Sequence, residues 1–361
     1  MRLTDQIVVP SPSSFISFSI SSPATIFLFV VVCLVISRPR LPTFNLFAPS
    51  CSFPVQNRDM SARAIFRRIL SNEMMEWAES GMESVQTLAF TVDAMYGFVV
   101  GLVLYFCPHF IGNFVFLRET DGVHWHLLRC LGAQVLSIAY LNFRLRESSE
   151  AAKSASCFVR VTSSIVITIL IVQCFTVTPN LISDWKLAFA FAFSMAMVAL
   201  YGSFLMWNGW PVGGHLMPEN GVSNLLHQVD SISHVCIGLT WITFPSWLLH
   251  GQVVEGLDAS HEVCGRLLGT FFISTFCNGL HALHLPSISD RKAIVVSRLI
   301  CNSGILMAQI WSQLAYEQNW HVNHWVGIML FTVWTVLAVL HYLIHPSEEF
   351  SRGGVEQKKQ D

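Results

Sequence analysis

Residues 121–132 read "DGVHWHLLRCLG", and residues 258–269 read "DASHEVCGRLLG". The second stretch is a copy of the first. Asp121, His124, Arg129 and Gly132 recur 137 residues later as Asp258, His261, Arg266 and Gly269. The same offset carries Asp93, Gly101 and Pro108 onto Asp230, Gly238 and Pro245. After one inserted residue, Lys153 and Arg160 map onto Arg291 and Arg298. So many unlike residues in one register identify a tandem duplication. The fold is therefore one unit written twice.

Composition says what kind of unit. The chain has 361 residues, 53% hydrophobic and 12% charged, with a mean hydropathy of +0.52. Soluble domains carry about 25% charged residues. A deficit of that size, spread over several long apolar runs, specifies an all-α integral membrane protein. Eight transmembrane helices of about 20 residues, each able to cross roughly 30 Å of hydrocarbon, are expected. They fall at 87–107, 123–143, 157–178, 185–207, 225–249, 261–285, 293–316 and 324–345. The first four make one four-helix repeat, 87–207, and the last four the second, 225–345. Between them lies a Pro/Gly-rich linker, 208–224, containing "NGWPVGGHLMPENG". The formal net charge of −2 argues against nucleic acid and leaves the lipid bilayer as the expected partner. The ten cysteines are scattered without a C-x-x-C and read as small buried hydrophobes.

Residues 1–59 differ from the rest. They hold seven of the fourteen prolines, are rich in serine and contain no histidine. Their one apolar run, 24–36, is short for a spanning helix and lacks the basic flank and small-residue cleavage site of a signal peptide. This segment is expected to be a disordered or mis-annotated extension preceding Met60, followed by a cytosolic N-terminal segment at 60–86.

Basic residues in short loops set the orientation. Arg63, Arg67 and Arg68 precede the first span, and Arg144, Arg146 and Lys153 follow the second, with Arg160 just beyond. Arg291 and Lys292 lie between the sixth and seventh, and Arg352, Lys358 and Lys359 in the tail, 346–361. The opposite loops contribute Arg118 and Lys186. Both termini are thus expected in the cytosol, and the repeats parallel. The chain ends "KKQD". Lys358 and Lys359 at a cytosolic C-terminus resemble the dilysine signal read by coat proteins, which places the protein in the endoplasmic reticulum membrane.

Asp121 and Asp258 stand where the second and sixth spans begin, and are expected as helix N-caps. Arg129 and Arg266 lie about two turns further in, where a charge is expensive and faces protein or water. Gly132 and Gly269 share roughly their face, suited to close helix packing. On the first span Asp93, Gly97 and Gly101 are spaced i, i+4, i+8; the copy reads Asp230, His234 and Gly238. An Asp inside a span marks a functional site by default. Asp93 and Arg129 differ by something like 10 Å in depth at 1.5 Å per residue, so they pair only through tilt or a bridging water. Asp230 with His234 is the better pair by spacing.

Eleven of the fourteen histidines lie at or after His215. His227, His281, His284, His341 and His345 gather near cytosolic span ends. H-x-x-x-H at 341–345 and H-x-x-H at 281–284 are fragments of the ligand pattern of membrane di-iron hydroxylases, whose H-x-x-H-H boxes are missing here. A metal ion, if held, belongs to these second-repeat histidines; no other cofactor is expected. There is no phosphate-cradling glycine loop, G-x-S-x-G or H-E-x-x-H.

Each repeat has Gly-x6-Pro ending its first span and R-x-x-G early in its second: Gly101, Pro108, Arg129 and Gly132, then Gly238, Pro245, Arg266 and Gly269. With the basic third loop this resembles small four-helix DoxX-like membrane proteins, including stress-inducible endoplasmic reticulum members, here doubled. The resemblance covers most of 86–345 and implies a four-helix bundle, twice; it implies no activity. The expected function is non-enzymatic: binding a small hydrophobic ligand or solute between the repeats, lined by Asp93, Asp230, Arg129 and Arg266, or acting as an assembly partner. A transporter and a metal-dependent oxidoreductase are the alternatives.

Overall fold

Prolines and N-caps divide the chain into the same order of elements twice. The computed structural model describes residues 62–211, 221–254 and 256–344. After α1 (Ala62–Ile69), the first half runs α2 (Asn72–Phe106), α3 (Pro108–Val115), α4 (Gly122–Leu145), α5 (Glu150–Val177) and α6 (Asp184–Asn208). The second runs α7 (Gly221–Thr243), α8 (Pro245–His250), α9 (Ala259–Ala282), α10 (Ile288–Ala315) and α11 (His324–Ile344). Among the described residues all regular structure is helical, apart from two isolated β-bridges, Phe116 with Ile182 and Val253 with Trp320. These bridges occupy equivalent loops of the two halves.

Pro108 and Pro245 each open a short helix, α3 and α8. A proline has no N–H and disfavours helix at the residue before it, so each preceding span ends there. The fifth expected span, 225–249, is therefore corrected: it stops at Thr243, and 245–250 is a separate turn of helix. At the other extreme α2 begins at Asn72, capped by Ser71, well before the expected start at 87. Its added turns are rich in Glu, Met and Ala, which favour helix in water as well as in lipid. The expected extension 1–59, most of the linker (212–220), His345, Lys358 and Lys359 lie outside the described residues.

Among the described residues six helices are long and apolar enough to cross a membrane: α2, α5, α6, α9, α10 and α11. The protein is thus read as a membrane protein. The other two long helices, α4 and α7, have 24 and 23 residues but more polar sequences. For α4 the packing supplies the reason. It is buried on nearly all sides, between α2 and α10, with α9 and α5 beside it. A helix shielded from lipid by protein need not be uniformly apolar. By contrast α11 turns Met329, Val333, Val336, Leu340 and Leu343 outward, an i, i+4, i+7 stripe that suits acyl chains.

The halves interlock. Besides its own partner α2, α4 packs on α10 of the second half, and α9 packs on its own α7 and on α5 of the first. Equivalent loops meet at the same end: Ser148 donates to Asp290 (2.9 Å) at one, and Arg118 ion-pairs with Asp258 at the other. At the α2–α4 crossing Gly101 and Gly132 touch backbone to backbone, and at α7–α9 Gly238 and Gly269 do the same. A Cβ on Gly132 would lie 2.9 Å from the Gly101 carbonyl, and one on Gly269 2.8 Å from that of Gly238. No side chain fits there, which is why the crossings are made of glycine.

Candidate functional site

Each half is tied by one carboxylate, Asp93 buried and Asp230 partly buried. Asp93 Oδ2 accepts from Arg160 Nε of α5 (2.6 Å), Tyr201 OH of α6 (2.8 Å) and Asn142 Nδ2 of α4 (2.7 Å). In the second half Asp230 Oδ2 lies 2.8 Å from Arg298 Nε of α10, and Oδ1 accepts from Trp334 Nε1 of α11 at 3.1 Å. Arg298 also donates from Nη2 to the Thr275 carbonyl of α9 (2.5 Å). The two junctions have the same plan: carboxylate on the first long helix, Arg on the third, an aromatic donor on the fourth, a polar contact from the second. A lone charge at membrane depth costs about 3 kcal/mol on insertion scales; pairing removes the penalty and fixes four helices at once.

As their difference in depth implies, Asp93 does not bond Arg129 directly: its basic partner is Arg160, and the bonded partners of Asp93 and of Asp230 lie within their own halves. Arg129 Nη2 instead donates to Tyr316 OH across the interface (3.3 Å) and lies over the Tyr316 ring, while Arg266 pairs with Glu262 on its own helix (3.0 Å). His234 stays beside Asp230, with Nδ1 3.5 Å from Oδ1 and 2.7 Å from its carbonyl, and sits edge-on to Trp334.

The opening motif and its copy meet each other. Asp121 caps α4 by accepting from the N–H groups of Val123 and His124, and its own N–H donates back to His124 Nδ1 (3.4 Å). Asp258 caps α9 in the same way, with Ser260, His261 and His261 Nδ1 (3.2 Å). These reciprocal capping boxes orient each imidazole. The rings then lie against one another, centroids 3.7 Å apart, both buried. His261 Nε2 is 3.0 Å from Asp121 Oδ2 of the first half; His124 Nε2 is 2.8 Å from Ser260 Oγ, whose hydroxyl bonds Asp258. So each half's histidine reaches the other half's aspartate, once directly and once through a serine.

Both aspartates precede their helices. Burial alone raises the Asp121 carboxyl, but hydrogen bonds with His124 and His261 outweigh it and hold the group well below the usual carboxylate range. Asp258 is also held low: against burial act the Ser260 hydroxyl, the His261 backbone N–H and Arg118.

A third set of polar groups lies between the halves. Along the α4–α10 contact a Cβ on Gly304 would lie 2.7 Å from Ala133 Cβ, and Ser297 donates to the Ser137 carbonyl (2.9 Å). On the same two helices Gln134 of α4 and Asn302 of α10, 2% and 0% exposed, have no hydrogen-bond partner for either amide atom among the described residues. Nearer the α9 N-terminal end, His126 Nδ1 and His324 Nε2 are likewise buried and unpartnered, their rings 5.4 Å apart.

Of the histidines expected to hold a metal, His227 and His341 come together (centroids 4.5 Å), with Ser223 2.9 Å from His341 Nε2. His281 lies elsewhere, its Nδ1 on the Cys277 carbonyl (2.9 Å) and its ring against Phe158. Residues to which sequence reasoning gave no part in a site are Arg160, Tyr201, Asn142, Arg298, Trp334, Gln134 and Asn302. Arg160 and Arg298 had a usable signal, since they are themselves a repeated pair.

Residues 91–343 match the model of a family described as a domain of unknown function, DUF8292. The chain belongs to this family. No curated protein and no solved structure matches it. One DUF8292 match spans both halves, so the doubled bundle is the family's unit. It begins two residues before Asp93 and contains both Asp–Arg junctions, the histidine crossing and the unpartnered amides.

Proposed function

We propose that this DUF8292 chain is an eight-helix protein of the endoplasmic reticulum membrane, its two repeats parallel and both termini cytosolic. It is not an enzyme; it holds a small, largely apolar ligand with a hydrogen-bonding head in the interface between the repeats. The observation that carries this reading is the pair of buried, unpartnered amides of Gln134 and Asn302 on helices of different halves. A buried polar group without a partner costs about 1–3 kcal/mol, and two whole amides are what a polar head group would satisfy. The Asp–Arg junctions, closed within each half, serve as structural ties, which weighs against a transport role for Asp93 and Asp230. The dilysine pattern at Lys358 and Lys359 supports the location, with coat-protein recognition as its consequence. The DoxX-like resemblance supports four-helix units and no reaction.

The test is native mass spectrometry with solvent extraction of the detergent-purified chain, wild type against the Gln134→Leu/Asn302→Leu double variant. Leucine approximates the amides in shape, and removing unmet polar groups is neutral or stabilising, so the variant folds. The expected result is a small molecule on the wild type, bound about five- to thirtyfold more weakly by the variant, as loss of one or two hydrogen bonds of about 1 kcal/mol each requires. An undiminished adduct on the variant, or none on the wild type, defeats the reading.

A further inference from the structure

The histidine crossing has more donor atoms than a helix cap uses. One ligand atom from each of Asp121, His124 and His261 lies within 4.8 Å of the others, and both imidazoles are at least 97% buried. From these groups the geometry points to a binding site for one divalent transition ion of the zinc class, shared by the two repeats through His124 Nε2, His261 Nε2 and Asp121 Oδ2.

Four features argue for it. First, the donors are two imidazoles and one carboxylate, a borderline set that suits zinc and its neighbours better than calcium or magnesium. Second, the spacing fits: His261 Nε2 and Asp121 Oδ2 are 3.0 Å apart, close to the separation of two donors that each sit about 2.0–2.1 Å from one ion. Third, each ring has a carboxylate oxygen 3.0 Å from its Nδ1, Asp121 Oδ1 for His124 and Asp258 Oδ1 for His261. A carboxylate behind Nδ1 takes its proton as a hydrogen bond and leaves Nε2 free as a ligand. For neutral rings, ion binding moves the proton from Nε2 to Nδ1, where the carboxylate oxygen takes over from the capping backbone N–H as the Nδ1 partner. Fourth, Arg118 ion-pairs with Asp258, while Asp121 uses Oδ1 for its helix cap and turns Oδ2 to His261 Nε2. Three donors leave a fourth position, and Ser260 Oγ, 2.8 Å from His124 Nε2, is the nearest protein oxygen to that nitrogen that the bonding pattern shows.

The site is distinct from the amides of Gln134 and Asn302 and from His227, His281 and His341, and it binds an ion whether or not the proposed ligand exists. The experiment is equilibrium dialysis of the full-length, detergent-purified chain against zinc, with bound metal read by plasma mass spectrometry. Wild type is expected to retain one zinc per chain, and His261→Gln to lose it. Because His261 also braces the halves, Asp121→Asn is the second variant: asparagine is an equally good N-cap, so the helix start survives while the anionic ligand goes. Its zinc affinity should fall at least about tenfold, with an unchanged size-exclusion profile. His281→Gln, a buried histidine elsewhere, should bind as wild type does. Substoichiometric zinc on the wild type overturns the proposal, as does full binding by folded Asp121→Asn and His261→Gln.

Discussion

Asp93→Ala is expected to destabilise the detergent-solubilised protein by about 3–5 kcal/mol, the cost of leaving one member of a buried ion pair behind. Its oxygen is the common acceptor for Arg160, Tyr201 and Asn142. Truncation strands a guanidinium and two neutral donors together, and loosens α2, α4, α5 and α6 in one step. Asp230→Ala should act in the same direction through Arg298 and Trp334, with a smaller effect because its donors are divided between two oxygens. The check is denaturant unfolding followed by tryptophan fluorescence. Replacing both partners, Asp93→Leu with Arg160→Leu, removes the charge together with its counter-charge and should recover much of the loss. If Asp93→Ala unfolds at the wild-type midpoint, the junction does not hold the bundle. If it unfolds normally but ligand is lost, the carboxylate belongs to a binding site after all.

The second large effect belongs to the glycine crossings. A methyl on Gly238 would lie 2.6 Å from the Ile273 nitrogen and 3.0 Å from the Gly269 carbonyl. Both neighbours are backbone, so no rotamer change relieves the contact and α7 must move off α9. Gly238→Ala should cost about 3 kcal/mol, the upper part of the usual overpacking range. Gly202, inside α6, meets nothing within 4 Å, and Gly202→Ala should stabilise by about 0.5–1 kcal/mol through helix propensity. Opposite signs for one chemical change, read as thermal midpoints in the same detergent, isolate packing from propensity. Equal midpoints for the two variants would remove the close crossing from the account.

How much of this was legible in the sequence depends on whether the signal was local. The N-caps Asp121 and Asp258 were, because a cap is decided by residues within one turn. The glycines were, because a small residue three places from an Arg inside a span, on roughly the same face, marks a helix contact. The Asp–Arg junctions were only half legible. Asp93 and Asp230 stand out as charges inside spans, and Arg160 and Arg298 stand out as a repeated pair inside the third and seventh expected spans, but spacing along the chain does not say that each Asp meets the Arg two long helices on.

What the sequence could not supply is which surfaces of the two repeats meet. Duplication implies that residues near the relating axis approach their own copies, but periodicity does not say which residues those are. His124 against His261 is such a pair. Gln134 and Asn302 were invisible for the opposite reason: the copy of Gln134 is Phe271 and that of Asn302 is Ser164, so neither amide recurs in the other repeat. Asymmetry between otherwise matching halves is where a ligand site would be built, and no internal alignment flags it.

The central claim is that two parallel four-helix units cross one membrane with their equivalent loops on the same side. Single cysteines at Glu147 and Pro286, exposed at one end, and at Glu119 and Gly256, exposed at the other, test it in a chain whose native cysteines are replaced by serine. Labelling in sealed, oriented vesicles with a membrane-impermeant maleimide should modify 147 and 286 together from the cytosolic side, and 119 and 256 only after the vesicles are opened. Labelling of 147 and 286 from opposite sides would contradict the parallel arrangement, and with it the histidine crossing that joins the two halves.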